Sequence, residues 1–360
     1  VKIGLIGLPN TGKTTVFNAL TRNNVTTGSY ASPLGEHHVG QVHVPDRRFD
    51  RLVEMYHPRK RTPAVIEFVD VAGITTGEER GSGLSEEMVR FIRDVDALIH
   101  VVRGFTGEAA PEQPNPAGDI ALVEGEMVIH DLVAVEKRLE RLEKDVARLP
   151  REKRGPLAAE AELLQRFKVH LETERPLRIL PLRPEELKTV RGYAYLSLQP
   201  LLVLLNIGEE GIREADRLAA GCSPSPDVPT LALCGKVEAE LGQLSAEDAA
   251  VFMSDLGIAE SGLDRVIRAA YDLLGLQSFF TVGEDEVRAW TIRKGDNAVT
   301  AAGKIHSDLA RGFIRAEVVA YDDLEAAGTW ARAREAGKLR LEGKEYPVRD
   351  GDILNIRFNV

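Results

Sequence analysis

The run Gly7-Leu-Pro-Asn-Thr-Gly12-Lys13-Thr14 sets two glycines, a lysine and a hydroxyl in the order GxxxxGK(S/T). Each residue type has a task in holding a polyphosphate. The glycines let backbone amides converge on phosphate oxygens, Lys13 neutralises their charge, and the Thr14 hydroxyl ligates magnesium. Asn10, Thr11, Gly12, Lys13, Thr14 and Thr15 are therefore the expected phosphate contacts, with Lys13 also catalytic. So short a pattern can arise by chance, and context decides. Here Ile3 to Ile6 read as a buried strand and Thr15-Val-Phe-Asn-Ala-Leu-Thr as the helix that follows, whose positive dipole end adds to the site.

Asp70-Val-Ala-Gly73 lies about 56 residues beyond the phosphate loop, just after the apolar run Ala64 to Val69. A carboxylate at a strand end can hold a magnesium-bound water, so the expected metal contacts are Thr14 directly and Asp70 through water. Gly73, the second expected catalytic residue, donates its amide to the terminal phosphate. An isolated Asp in this pattern more often caps a turn; the phosphate loop at this spacing reverses that preference. His37, His38 and His43 have no evident fourth ligand and read as exposed loop residues rather than a metal cluster.

These residues need a sheet to position them. From Val1 to about Pro116 short apolar runs alternate with helical patterns, which implies a parallel sheet covered by helices. The Pro-rich stretch Pro111 to Pro116 then leads into a long helix with Val128, Leu132, Val135, Leu139, Leu142, Val146 and Leu149 in a heptad seam. A second helical stretch follows Gly155-Pro156, carrying Leu157, Ala161, Leu164, Phe167 and Leu171, and the pair reads as an antiparallel hairpin. Its first arm would extend on the order of 30 Å. Leu201 to Leu205 and Thr230 to Leu233 resume the strand pattern, so the hairpin is an insertion into one nucleotide-binding domain. Past Leu276, strand-like runs at Phe279-Phe280, Val287 to Ile292, Phe313 to Ala320 and Asp352 to Phe358, with one helix near Val299 to Leu309, predict a small α+β domain.

Composition narrows the partners. With 43% hydrophobic, 28% charged and 6% aromatic residues over 360 positions, the chain has the make-up of a multi-domain globular protein. A net charge of -10 argues against non-specific adhesion to nucleic acid or membrane, so any RNA contact must be local. Cys222 and Cys234 form no ligand pattern and read as reduced thiols. Val1 opens the first strand and no apolar run approaches the ~18 residues of a membrane span, so a cytoplasmic protein with no membrane partner is expected.

The segments GLPNTGKTTVFNALT, EFVDVAGI and FFTVGEDEVRAWTIRKGDNAVTAAGKIHSDLARGFIRAEVVAYDDL, with the terminal EAGKLRLEGKEYPVRDGDILNIRFNV, resemble the Obg-like ATPase or YchF family over the whole chain. The resemblance implies an α/β, Ras-like P-loop domain (1–118 and 196–276), an inserted helical coiled-coil hairpin (119–195) and a C-terminal β-grasp TGS domain (277–360). It also implies a ribosome as partner, through the hairpin and the TGS domain.

Base selection departs from that of an ordinary GTPase. Asn206-Ile-Gly-Glu209 stands where an NKxD motif reads guanine: Ile207 replaces the lysine beside the base and Glu209 carries its carboxylate one methylene further out. The resemblance favours ATP through this variant, with Ile207 backbone reading the base, and GTP remains the alternative. Cys234, Gly235 and Lys236 resemble the fifth GTPase element, whose amides contact the base. Ile74 takes the place of the water-orienting Gln, which implies slow intrinsic turnover. Asn10 either helps hold a potassium ion or stabilises its loop. Leu34 occupies the usual switch Thr position, leaving Ser32 or water to complete the magnesium shell. Two functions follow, a slow magnesium-dependent triphosphatase gating a translation partner, or a nucleotide-sensing scaffold for RNA or protein with incidental hydrolysis.

Overall fold

The computed structural model describes residues 1–22, 28–32, 35–71, 84–108, 110–148, 150 and 155–359. In chain order the strands are β1 (Lys2–Ile6), β2 (Gly28–Ser32), β3 (Gly35–His43), β4 (Lys60–Thr62), β5 (Val65–Val71), β6 (Ala97–Gly104) and β7 (Leu201–Ile207). They continue with β8 (Thr230–Leu233), β9 (Leu276–Thr281), β10 (Glu286–Arg293), β11 (Phe313–Ala320), β12 (Arg340–Glu342) and β13 (Asp352–Phe358). Helices α1 (Lys13–Arg22), α2 (Arg47–Tyr56), α3 (Glu86–Asp94), α4 (Pro116–Arg148), α5 (Gly155–Leu171) and α6 (Pro184–Val190) precede β7. Between β7 and β9 come α7 (Ala215–Cys222), α8 (Gly235–Leu241), α9 (Ala246–Leu256) and α10 (Gly262–Leu273). The C-terminal helices are α11 (Ala298–Ile305), α12 (Ser307–Arg311), α13 (Tyr321–Ala327) and α14 (Trp330–Glu335).

By its contacts the chain forms two compact units, residues 1–40 with 67–266, and residues 41–66 with 267–360. The first is built on a seven-stranded sheet in the order β2-β3-β5-β1-β6-β7-β8. Strand β7, LLVLLNI, is buried at every residue, as a parallel strand covered on both faces must be. Register aligns the strand ends: Leu5 lies opposite Asp70, Ile6 opposite His100, and Asn206 opposite both Arg103 and Leu233. The phosphate loop, Asp70, Asn206 and Cys234 therefore leave the sheet at one carboxyl edge, where open α/β sheets bind ligands.

Helix α4 runs 33 residues and opens on Pro116, a position where a missing N–H leaves no bond unmade. At 1.5 Å per residue it is about 50 Å long. Its first third packs on the sheet through Ile120, Val123 and Met127, and its remainder packs against α5 through Val128, Val135 and Leu142 with Leu164, Phe167 and Leu171. One continuous helix thus belongs to two cores. A buried carboxylate fixes it there: Asp131 accepts from Leu196 N (2.9 Å), Ser197 N (2.7 Å) and Ser197 Oγ (2.7 Å). Nearby Arg178 donates to Glu124 Oε1 (2.6 Å) and to the Gln199 carbonyl (2.9 Å).

His100, in the middle of β6, is fully buried and neither ring nitrogen has a hydrogen-bond partner among the described residues. Burial, reinforced by the Arg178 charge, pushes its pKa down from 6.5 to about 4. Between these values the unfolded chain binds the proton and the folded chain does not, so stability falls as pH drops through this window. The expected loss from pH 6.5 to 4 is on the order of 3 kcal/mol. Urea midpoints of the wild type and His100→Leu across the window check this, because only the wild-type curve should carry that slope.

The second unit holds a six-stranded sheet, β12-β11-β13-β9-β10-β4, around Phe279, Ala301, Phe313 and Val318. Residues 41–66 contribute α2, which Asp46 caps by accepting from Arg48 N, and β4, which pairs parallel to β10. Thr62 Oγ1 donates to Glu286 Oε1 at 2.6 Å across that pair. The single helix expected from Val299 to Leu309 is two, α11 and α12. His306 between them is extended (φ -162°) and its Nδ1 accepts from Asp308 N, starting a new helix by side-chain capping.

Candidate functional site

The site is assembled from four turns at the sheet edge. In the first, Asn10 (φ 62°) and Gly12 (φ 79°) are left-handed, and the Thr11 hydroxyl donates to the Leu8 carbonyl at 3.0 Å, curling the chain between β1 and α1. A Cβ on Gly7 would stand 2.5 Å from the Val101 carbonyl, and one on Gly12 2.3 Å from Asn206 Nδ2. Gly7 is thus required by close backbone approach, and Gly12 by its left-handed φ and the Asn206 amide beside it. Thr14 and Thr15 are exposed at the start of α1, and Lys13 beside them is buried.

Lys13 Nζ is ion-paired to Asp70 Oδ1, and Asp70, at the end of β5, is 2% exposed. The other carboxylate oxygen, Oδ2, lies 3.4 Å from Thr14 Oγ1. A hydroxyl beside a carboxylate is the hard oxygen pair that suits magnesium completed by waters. Gly73, Ile74 and Leu34 lie outside the described residues, as do the side chains of Ser32 and His37. Among the described residues no group of three His, Cys, Asp or Glu side chains could hold a metal.

The segments expected from the sequence to read the base come together through Asn206. Its Nδ2 donates to the Thr11 carbonyl and its Oδ1 accepts from Gly235 N, both at 2.9 Å, so one buried amide ties the phosphate loop to the turn after β8. Gly235 tolerates this because a Cβ there would be 3.1 Å from the same Oδ1. The Ile207 side chain is buried in the core, leaving its backbone at the site. Glu209 Oε1 accepts from Lys236 Nζ at 2.7 Å, both side chains exposed, and Cys234 is a buried thiol whose pKa burial raises.

Phe105, not singled out from the sequence, follows β6 with its ring 3.9 Å from the Cβ position of Gly12. Arg103 Nη1 braces its loop through the carbonyls of Phe105, Ala110 and Glu112. The only cue in the sequence is an aromatic residue directly after an apolar strand.

Comparison with known proteins agrees with this geometry. Residues 2–149 match a family described as 50S ribosome-binding GTPase, and residues 276–359 match the YchF GTPase C-terminal family, described as a protein of unknown function. The chain is 42% identical to the ribosome-binding ATPase YchF of Bacillus subtilis, covering 99% of each chain. It is 40% identical to that of Escherichia coli O157:H7, covering 100% of this chain and 99% of the other. The solved structure of the Schizosaccharomyces pombe YchF GTPase superposes with a TM-score of 0.87 at 32% identity, over 99% of this chain and 97% of that one. No helix among the described residues is long and apolar enough to cross a membrane. A phosphate loop at the end of β1, an acidic residue at the end of β5 and an asparagine bridge from β7, matched over full-length relatives, place the chain in the YchF family of P-loop nucleoside triphosphatases.

Proposed function

We propose that the protein is a slow, magnesium-dependent triphosphatase that prefers ATP and acts as a nucleotide switch on the ribosome. The observation that carries the base preference is the Glu209–Lys236 pair. Guanine recognition needs a carboxylate free to face the ring N–H and the exocyclic amine; here Lys236 draws it aside, which removes the acceptor guanine requires and the repulsion adenine would meet. Asn206, with both amide atoms committed to backbone, positions the loops rather than reading the base.

The remaining roles are proposed from the motifs these residues belong to. Amides of Asn10 to Thr15 and the Lys13 ammonium would hold the phosphates, and Thr14 directly and Asp70 through water would hold magnesium. Magnesium would supply charge neutralisation of the phosphate oxygens, and Gly73 is the proposed amide donor to the terminal phosphate. Ile207 backbone and the Cys234, Gly235 and Lys236 turn line the base. Asn10, left-handed at the tip of the loop, is the proposed potassium contact. Relatives named ribosome-binding ATPase supply the ribosome as partner, reached through the hairpin and the C-terminal β-grasp domain, in a cytoplasmic setting.

Competition of ATP and GTP for a fluorescent ATP analogue tests the base assignment. ATP is expected to compete more strongly, and Lys236→Ala, which frees the Glu209 carboxylate, to narrow the gap; equal or stronger GTP competition in the wild type overturns it. Turnover measured in potassium against sodium chloride should be faster in potassium, and equal rates remove the ion.

A further inference from the structure

A cavity of about 540 Å³ opens beside the turn that follows β7, bounded by the end of β8, α8 and the loop leading into α10. Its wall is apolar where Ile207, Ile212, Ala232, Cys234 and Val237 face it, and its volume is in the range of small-molecule sites. No residue of the phosphate loop lines it, and neither Asn206 nor Gly235 does.

The charges around it are mostly spent on each other. Glu214 is paired with Arg217, and Asp216 accepts from Arg265 at 2.6 Å. Glu238 accepts from Gly262 N (2.6 Å) and Ser261 Oγ (2.8 Å), capping α10, and Glu260 is also engaged. Arg213 is different. It is exposed, it has no hydrogen-bond or ion-pair partner among the described residues, and its Nε lies 4.0 Å from the Cβ position of left-handed Gly257 at the same wall.

From the apolar wall and this cation, uncompensated among the described residues, we infer that the cavity is a second ligand site, taking a small carboxylate whose flat apolar body lies on the half-buried Ile212 and Ile258 and whose charge meets Arg213. Ile207 and Cys234 also belong to the segments assigned to the base, so occupancy changes nucleotide affinity and nucleotide changes ligand affinity by the same factor. This coupling rests on the base assignment; the site itself does not.

The probe is 2-naphthoate, titrated into the full chain carrying 13C-labelled isoleucine δ1 methyls. Ile207, Ile212 and Ile258 line the cavity and should shift saturably, while Ile353 in the other unit should not. Arg213→Ala should weaken naphthoate about tenfold, the loss of one hydrogen bond to a charged group, and neutral 2-naphthylmethanol should bind the wild type equally weakly. No saturable shift at the three isoleucines, or an affinity indifferent to Arg213, overturns the site. If saturating ATP displaces naphthoate completely the cavity belongs to the nucleotide site and the proposal also fails. An identical naphthoate affinity with and without ATP refutes the coupling alone, and ATP against GTP competition reports on the base assignment independently.

Discussion

In single-turnover assays with saturating ATP and magnesium, the Lys13→Ala protein hydrolyses at least about a hundredfold more slowly than the wild type. Lys13 is the cation paired with Asp70 among the described residues, and its removal takes positive charge from where negative charge must be held in the transition state. The same substitution carries a second, separable effect. Asp70 is 2% exposed, so without Lys13 a buried carboxylate loses its counter-charge, and folding stability should fall by about 3–5 kcal/mol. Adding Asp70→Ala to Lys13→Ala removes the stranded charge, so the double variant should recover most of the stability and none of the hydrolysis. Thermal unfolding and phosphate release on the four proteins of this cycle separate the two terms. A Lys13→Ala protein with wild-type single-turnover rate would falsify the catalytic assignment.

The second large effect is expected far from the nucleotide. Asp131→Ala leaves Leu196 N, Ser197 N and Ser197 Oγ without their buried acceptor. At about 1–3 kcal/mol for each unsatisfied group, tempered by relaxation, the loss should be about 4 kcal/mol. Asp131→Asn keeps the shape but turns an amide N–H toward a donor, at roughly half that cost. Because Asp131 is on the helix that spans both cores, the damage should concentrate where α4 meets the 196–198 turn. Amide exchange at Leu196 and Ser197 is the direct readout, and the wild-type protection should collapse in the alanine variant. Unchanged exchange at both amides would mean the carboxylate does not hold the junction.

How much of this was legible in residue order follows from the range of the interactions. The phosphate loop is a local object: glycines, lysine and threonine act within one strand-to-helix turn, so their spacing carries the chemistry. The apolar runs of β6 and β7 and the heptad positions of α4 and α5 are likewise local periodicities, and they give the parallel core of the sheet and the helix pair directly, though not the antiparallel pairing of β2 with β3. Asp70 and Asn206 could be named from motif and spacing, but their partners could not. That Lys13 pairs with Asp70, or that one amide joins Thr11 to Gly235 across sequence separations of 195 and 29 residues, is decided by strand register together with the turns that leave the strand ends.

The tertiary structure also decided what periodicity cannot express. Residues 41–66 lie in sequence between the phosphate loop and Asp70, yet β4 completes the sheet of the C-terminal unit, because a three-residue strand has no pattern of its own and exists only through its partner β10. His306 split one expected helix into two by competing for a backbone N–H, a choice that a propensity sum does not register. The orphaned ring of His100 and the buried carboxylate of Asp131 read in sequence as ordinary polar residues within apolar segments. What residue order determined was the triphosphate site and the kinds of element around it. What only the fold decided was which distant groups meet there, since a hydrogen bond or an ion pair is specified by distance in space and the sequence encodes that distance only through the packing of the whole chain.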